Sequence, residues 1–284
     1  MDMKKQWFLF IGLSIISLGF FACKEANNIK LTPVNFANTY YLSADSTQGS
    51  LAISIQVELP IEKTRTDSII RTFLIENIFS DKYITFSNDS TKKYTRLSND
   101  SIVASYVREL EQDYRANNEP LLAEMADEEH LYSFNNEHQI EGFPLLNDPN
   151  IFSYGINRYA FMGGAHGLEI RSYYNFNLKT AKLITEQDLF VDNYQKDLIE
   201  LFKARIIEES DFIHSMEELK ASDYWLDSIK PNSNFYISDE AITYVFNPYE
   251  IAPYYVGHTE ISLPYDRIAN LLKPNNPIAY LTKK

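Results

Sequence analysis

The sequence is poor in cysteine, glycine, histidine and cationic side chains, with one Cys, nine Gly and five His in 284 residues. A single thiol excludes an intramolecular disulfide and a cysteine-rich zinc site. None of the histidines is paired at the spacing of His-Glu-x-x-His, so no metal and no other cofactor is expected. The 26 Lys+Arg stand against 39 Asp+Glu, a formal net charge of −13. A nucleic-acid partner requires an excess of cations on some face and is set aside. The chain has no Gly-x-Ser-x-Gly elbow, and its one thiol ends an apolar leader, which leaves nucleophilic catalysis without a carrier.

What is present is enough apolar sequence for a core, 45% of residues against 23% charged, without help from disulfides or metal. Lys4 and Lys5 precede an apolar run from Trp7 to Ala22, shorter than the roughly 20 residues of a membrane-spanning helix. That pattern is a basic n-region and the h-region of a signal peptide. Cys23 follows Phe20-Phe21-Ala22, an arrangement that resembles a bacterial lipobox. The resemblance implies a signal peptide over 1–22, cleavage before Cys23 and lipid on its thiol. The protein is then anchored to a membrane in the cell envelope, as a periplasmic or outer-membrane lipoprotein. Acylation also gives a use to the lone thiol of an exported chain. Residues 23–44 read as a polar tether.

Beyond the tether, Ile53, Ile55, Val57 and Leu59 alternate with polar residues as a half-buried strand that Pro60 ends. Asp67 is expected to cap a helix carrying Ile69, Ile70, Phe73, Leu74 and Ile78, and Asp100 or Ser101 a second with Ile102, Tyr106, Leu110 and Tyr114 on one face. The acidic stretch from Glu124 to Glu129 reads as a solvated face or loop. Strands are expected at 131–134, 138–143, 152–161 and 170–178. Thr185-Glu186-Gln187-Asp188 has the form of a capping box, and Leu198, Phe202 and Ile206 form the stripe of a helix reaching Glu209. A hairpin at 235–246, a strand at 257–263 and a short helix capped by Asp266 complete the chain. Helices and strands mix without βαβ alternation, so the fold class expected is α+β: two small domains with largely antiparallel sheets packed against helices.

Three of the nine glycines lie within Gly163-Gly164-Ala165-His166-Gly167. Glycines so concentrated serve positive φ angles, a bulge or a close backbone approach. The loop reads either as a tight strand connection with His166 bonded to backbone, or as a histidine presented as acid, base or ligand. Tyr159-x-x-x-Gly163-Gly164-Ala165-His166-Gly167, Asn175-Phe176-Asn177-Leu178, Asp188-Leu189-Phe190, Phe246-x-x-Tyr249-Glu250-Ile251-Ala252-Pro253-Tyr254-x-x-Gly257 and Ile261-x-x-Pro264-Tyr265 together resemble the extracytoplasmic RsiV/PdaC-type family over residues 45–273. The resemblance implies a PdaC-like N-terminal domain at 45–162 and an RsiV-like C-terminal domain of unknown function at 163–284. Deacetylase members add a catalytic domain with an Asp-Asp motif and metal-binding histidines, to which nothing here is similar. Anti-sigma members carry a membrane span, where this chain has a lipobox, and bind lysozyme outside the cell.

Two functions follow as expectations. The first is a non-enzymatic recognition protein for peptidoglycan fragments or a lysozyme-like protein, with Gly163, Gly164, His166, Gly167, Tyr249, Glu250 and Tyr254 as ligand-binding residues. An acidic surface suits a basic partner. The second is a cell-wall glycan hydrolase or deacetylase-like enzyme using His166 and Glu250 as its acid/base pair. His258 meeting His166, with Glu250 or Glu260 as carboxylate partner, is a further arrangement for acid/base or metal chemistry. Tyr249, Tyr254, Tyr255 and Tyr265, set among Pro248, Pro253 and Pro264, read either as sugar-stacking rings or as core filling beneath a rigid loop, with Glu250 a buried carboxylate satisfying loop amides.

Overall fold

The computed structural model describes residues 28–43, 49–79, 94–124 and 133–282. The leader, Cys23 and most of the acidic stretch at 124–129 lie outside the described residues. The chain runs β1 (Leu31–Tyr41), β2 (Ser50–Pro60), α1 (Arg65–Ile78), α2 (Asn99–Glu124), β3 (Asn136–Asn147), β4 (Ile151–Met162), β5 (Leu168–Asn177) and β6 (Lys182–Leu183). It continues with α3 (Glu186–Leu189), α4 (Gln195–Glu209), α5 (Met216–Ala221), β7 (Phe235–Ile237), β8 (Ala241–Phe246), β9 (Thr259–Pro264) and α6 (Tyr265–Ile268). Strands β1 to β6 form one sheet in chain order, and β7 to β9 form a second. The fold is α+β. Every pairing is antiparallel except β2 with β3, and that parallel pair is the one joined by a helical crossover, α1 and α2, as parallel geometry requires.

The period-two pattern of β2 places Ile53, Ile55 and Val57 on one face, against His138, Ile140 and Gly142 of β3. Helices α1 and α2 cover that face with Ile70, Leu74, Ile75 and Ile78 and with Ile102, Tyr106, Leu110 and Tyr114, all buried. The second core lies under β7–β9. There the α4 stripe of Leu198, Phe202 and Ile206 is buried, with the Phe202 ring 4.8 Å from that of Tyr244. Each such side chain contributes about 2 kcal/mol on leaving water.

Several expectations change in detail. Residues 31–41, read as tether, are strand β1, paired with β2 along its whole length. Its Asn and Thr residues hide the pattern because only Val34 is fully buried. Thr64 caps α1, and Asp67 is the third helical residue, its carboxylate accepting from the Thr64 amide as the second half of the capping box. At α2 the Ser98 hydroxyl accepts from the Ser101 amide, so the helix starts earlier than Asp100. Residues 133–134 form a short helical turn rather than a strand, and Pro264, not Asp266, precedes α6. The first sheet passes through position 162/163, since β5 and β6 continue it.

His138 sits among the α-helix-facing side chains of β3, 6% exposed, and its Nδ1 has no hydrogen-bond partner. Burial pushes its imidazole down to about 4, from 6.5. Between these values the unfolded chain binds a proton that the folded chain refuses, so stability is full above pH 6.5 and falls as pH drops toward 4. The full effect is about 3 kcal/mol. Urea unfolding of wild type and His138→Gln from pH 7 to pH 4 should show the two curves converging toward acid. Parallel curves would contradict the assignment.

Candidate functional site

The glycine loop joins β4 to β5 and meets the turn after β8. Gly163 takes a φ of +77°, and a Cβ there would stand 1.7 Å from the Ser133 carbonyl oxygen. Gly167 is buried, and a Cβ on it would lie 2.3 Å from the Tyr159 ring. Gly164 has nothing within 4 Å of that position. Two of the three glycines are therefore dictated by close packing.

His166 is exposed. Its ring stacks on Tyr254 with centroids 3.9 Å apart and planes inclined 19°, and its Nδ1 is 3.0 Å from the Gly167 carbonyl oxygen. The Tyr254 hydroxyl donates to the same carbonyl at 2.7 Å. That shared acceptor locks the β4–β5 loop to the 253–256 segment. Tyr249 extends the ladder, 5.7 Å from Tyr254, and is 53% exposed. Its φ of +70° lies in the left-handed region that bulky residues avoid. Hydrogen bonds from Tyr249 N to Ala252 O and from Glu250 N to Asn247 O hold the turn. A groove of about 330 Å³ lies beside the ladder, lined by Ala160, Met162, Leu168 and Ile170 together with His166 and Tyr249.

Glu250 is exposed, contrary to the buried carboxylate expected. It accepts from the side-chain amides of Asn232 (2.9 Å) and Asn247 (3.2 Å), because it sits at the tip of the β8–β9 turn with asparagines on the neighbouring segment. Among the described residues it shares no hydrogen bond with His166. His258 faces Glu169, Arg171 and Glu260, and its imidazole is held below its usual range by burial first and Arg171 second. Glu260 itself pairs with Arg171 at 3.0 Å. Among the described residues no group of three or more His, Cys, Asp or Glu is placed to hold a metal ion. Tyr265 belongs to the core, its hydroxyl donating to Ser238 O at 2.6 Å, whereas Tyr255 is 71% exposed.

The contacts that hold the site together have no local signal in the sequence. Asparagine side chains stitch the open edge of β5 to the second sheet. Asn247 Oδ1 accepts from Arg171 N at 2.7 Å and Asn234 Oδ1 from Tyr173 N at 3.0 Å, while both Nδ2 groups donate to Arg171 O. Asn175 reaches the other way, its Nδ2 donating to Phe235 O at 2.7 Å and its Oδ1 accepting from Ile237 N at 2.9 Å. These amides act as a strand of side chains between two backbones.

The second groove, about 360 Å³, lies on the face of the first sheet opposite α1 and α2, lined by Glu137, Gln139, Glu141, Asn157, Tyr159 and Glu169. Tyr159, packed under Gly167, belongs to both this acidic face and the glycine loop.

The architecture is that of an α+β protein with two sheets joined by asparagines along β5 and a ring-stacked loop at the junction. Residues 187–266, which include the second sheet and the Tyr249 turn, match the family described as "Protein of unknown function (DUF3298)", so the chain carries a DUF3298 domain. The fold is shared with a DUF3298-family crystal structure from Bacteroides fragilis NCTC 9343, at TM-score 0.79 and 23% identity over 91% of this chain and 99% of that one. A DUF3298-family protein of Pseudomonas aeruginosa PAO1 superposes with TM-score 0.55 and 16% identity over 87% of this chain and 96% of that one. In sequence, 96 residues are 29% identical to the anti-sigma-V factor RsiV of Bacillus subtilis (strain 168), covering 34% of this chain. The chain spans about a third of the length of that curated relative. Among the described residues no helix is long and apolar enough to cross a membrane.

Proposed function

We propose that this protein is a lipid-anchored recognition protein of the cell envelope, held through Cys23, whose stacked loop and acidic sheet face bind a basic, lysozyme-like protein. The observation that carries the reading is Tyr249: an exposed ring, held in a strained backbone conformation, with Tyr254 and His166 stacked behind it. Such strain persists where surrounding contacts over-determine it and where it positions a group for use. A rigid tyrosine presented in this way is the residue type that anchors protein interfaces. Glu250, fixed by two asparagine amides, and Glu137 and Glu141 beyond Tyr159 supply the negative field for a cationic partner. The partial likeness to an anti-sigma factor is in keeping with a binding role, and in this reading the PdaC-like part is the whole first sheet, β1 to β6, with α1 and α2, rather than residues 45–162. Peptidoglycan fragments are the other ligand class, stacking on Tyr249 and on Tyr255.

The test is calorimetric titration of the chain from residue 24 with lysozyme across salt concentrations, with an inert basic protein as control and soluble peptidoglycan fragments in parallel. Selective, saturable binding that weakens with salt is expected, together with a loss of about tenfold or more in affinity for Tyr249→Ala. Lysozyme bound no better than the control sinks this reading, and fragment binding in its place moves the site to the glycan class. The anchor is tested separately: Cys23→Ala should abolish labelling by radioactive palmitate, and an unlabelled wild type would refute it.

A further inference from the structure

The two long edges of the six-stranded sheet are treated differently. On one side the exposed edge of β5 is closed by asparagines and by the second sheet. On the other side β1 ends the strand order and pairs only with β2 among the described residues. β1 is 11 residues long, Leu31–Tyr41, matched to β2 residue by residue without a bulge. Its sequence LTPVNFANTYY contains no charged residue, in a chain that is 23% charged. Edge strands are normally blunted by lysine, proline, bulges or shortness. Here only Pro33, close to the start, does so. Beside the edge a groove of about 540 Å³ separates residues 32–36 from the 98–104 turn of α2, with Val34, Phe36 and Val103 among its lining.

We infer that β1 is the contact through which two copies of this protein pair, antiparallel and edge to edge, so that the two sheets become one. Charge selects the occupant. Two chains each carrying −13 repel over most of their surfaces, and a neutral strand 11 residues long is where two copies meet with no like charges in direct contact. Antiparallel pairing of a strand with itself is two-fold symmetric, the symmetry of a closed dimer. A two-fold centred at Ala37 sets the two Ala37 side chains opposite each other and Asn35 of each copy opposite Thr39 of the other, all on the exposed face of the strand. This inference does not depend on the proposed partner or on the anchor.

Sedimentation equilibrium of the chain from residue 24, which keeps every described element, should give twice the monomer mass. Asn35 and Thr39 are exposed and on the face away from the helices, so Asn35→Glu with Thr39→Glu should halve the mass while the far-ultraviolet spectrum and the melting temperature stay unchanged. Ala37→Cys should form a disulfide-linked dimer on oxidation, and Thr180→Cys, at an exposed turn, should not. A wild type monomeric at all concentrations overturns the inference. So does a dimer that survives the double substitution, or one that Ala37→Cys fails to link.

Discussion

Gly163→Ala should cost about 3–5 kcal/mol of folding stability, a large fraction of the roughly 5–15 kcal/mol that holds a domain together, whereas Gly164→Ala should change it by less than about 0.5 kcal/mol. The neighbours differ in what a methyl group meets. At Gly163 the φ of +77° is unfavourable for any L side chain, and the atom in the way is the Ser133 carbonyl oxygen at 1.7 Å. That carbonyl belongs to backbone leading directly into β3, a central strand paired on both sides, so it has no room to retreat. At Gly164 the space is open. Thermal unfolding of the two variants beside wild type measures this, with a fall of about 10 °C or more for the first. Equal effects from the two would mean that the loop gives way and that its glycines do not fix the position of His166.

Asn175→Ala should be comparably damaging, at about 3–6 kcal/mol, for a polar rather than a steric reason. Asn175 is 3% exposed. Its amide satisfies the Ser153 hydroxyl at 2.7 Å, the Ile237 amide and the Phe235 carbonyl. Truncation leaves three buried groups without their partner, each costing about 1–3 kcal/mol. Asn175→Asp keeps the acceptor but loses the donor to Phe235 and buries a charge, and should be no better tolerated near neutral pH. Urea unfolding gives the measurement. A loss under about 1 kcal/mol for Asn175→Ala would show that the sheets are joined mainly by apolar contact.

Elements whose burial follows their own periodicity were legible in the sequence. β2, with Ile53, Ile55 and Val57 inward, and α4, with Leu198, Phe202 and Ile206, show their buried faces in the order of the residues. So does the hairpin of β7 and β8. β1 was not legible because it is an edge strand, half-covered on one face, and its inward positions include Asn38 as well as Val34 and Phe36. The glycine loop was found from composition, and His166 from its place within it. The contact that defines the site, His166 on Tyr254, joins positions 88 apart in the chain and has no local signal. The asparagines of the β5 edge were illegible for the same reason. An Asn between strands reads as a turn residue, and only the tertiary fold turns its amide into a substitute backbone. The position of Glu250 was misjudged because flanking apolar residues suggest burial, while the turn carries its side chain outward.

The asparagine seam also bears on the order of synthesis. Residues 31–183 contain every strand of the first sheet and leave the ribosome before Asn234 and Asn247 do. Through that interval the outer edge of β5 has finished pairing with β4 but has nothing to satisfy its Arg171 and Tyr173 amides except water or another nascent chain. The last third of the protein is thus, to the first sheet, a built-in chaperone that arrives late, and a chain cut short before Asn234 is left with a sticky edge.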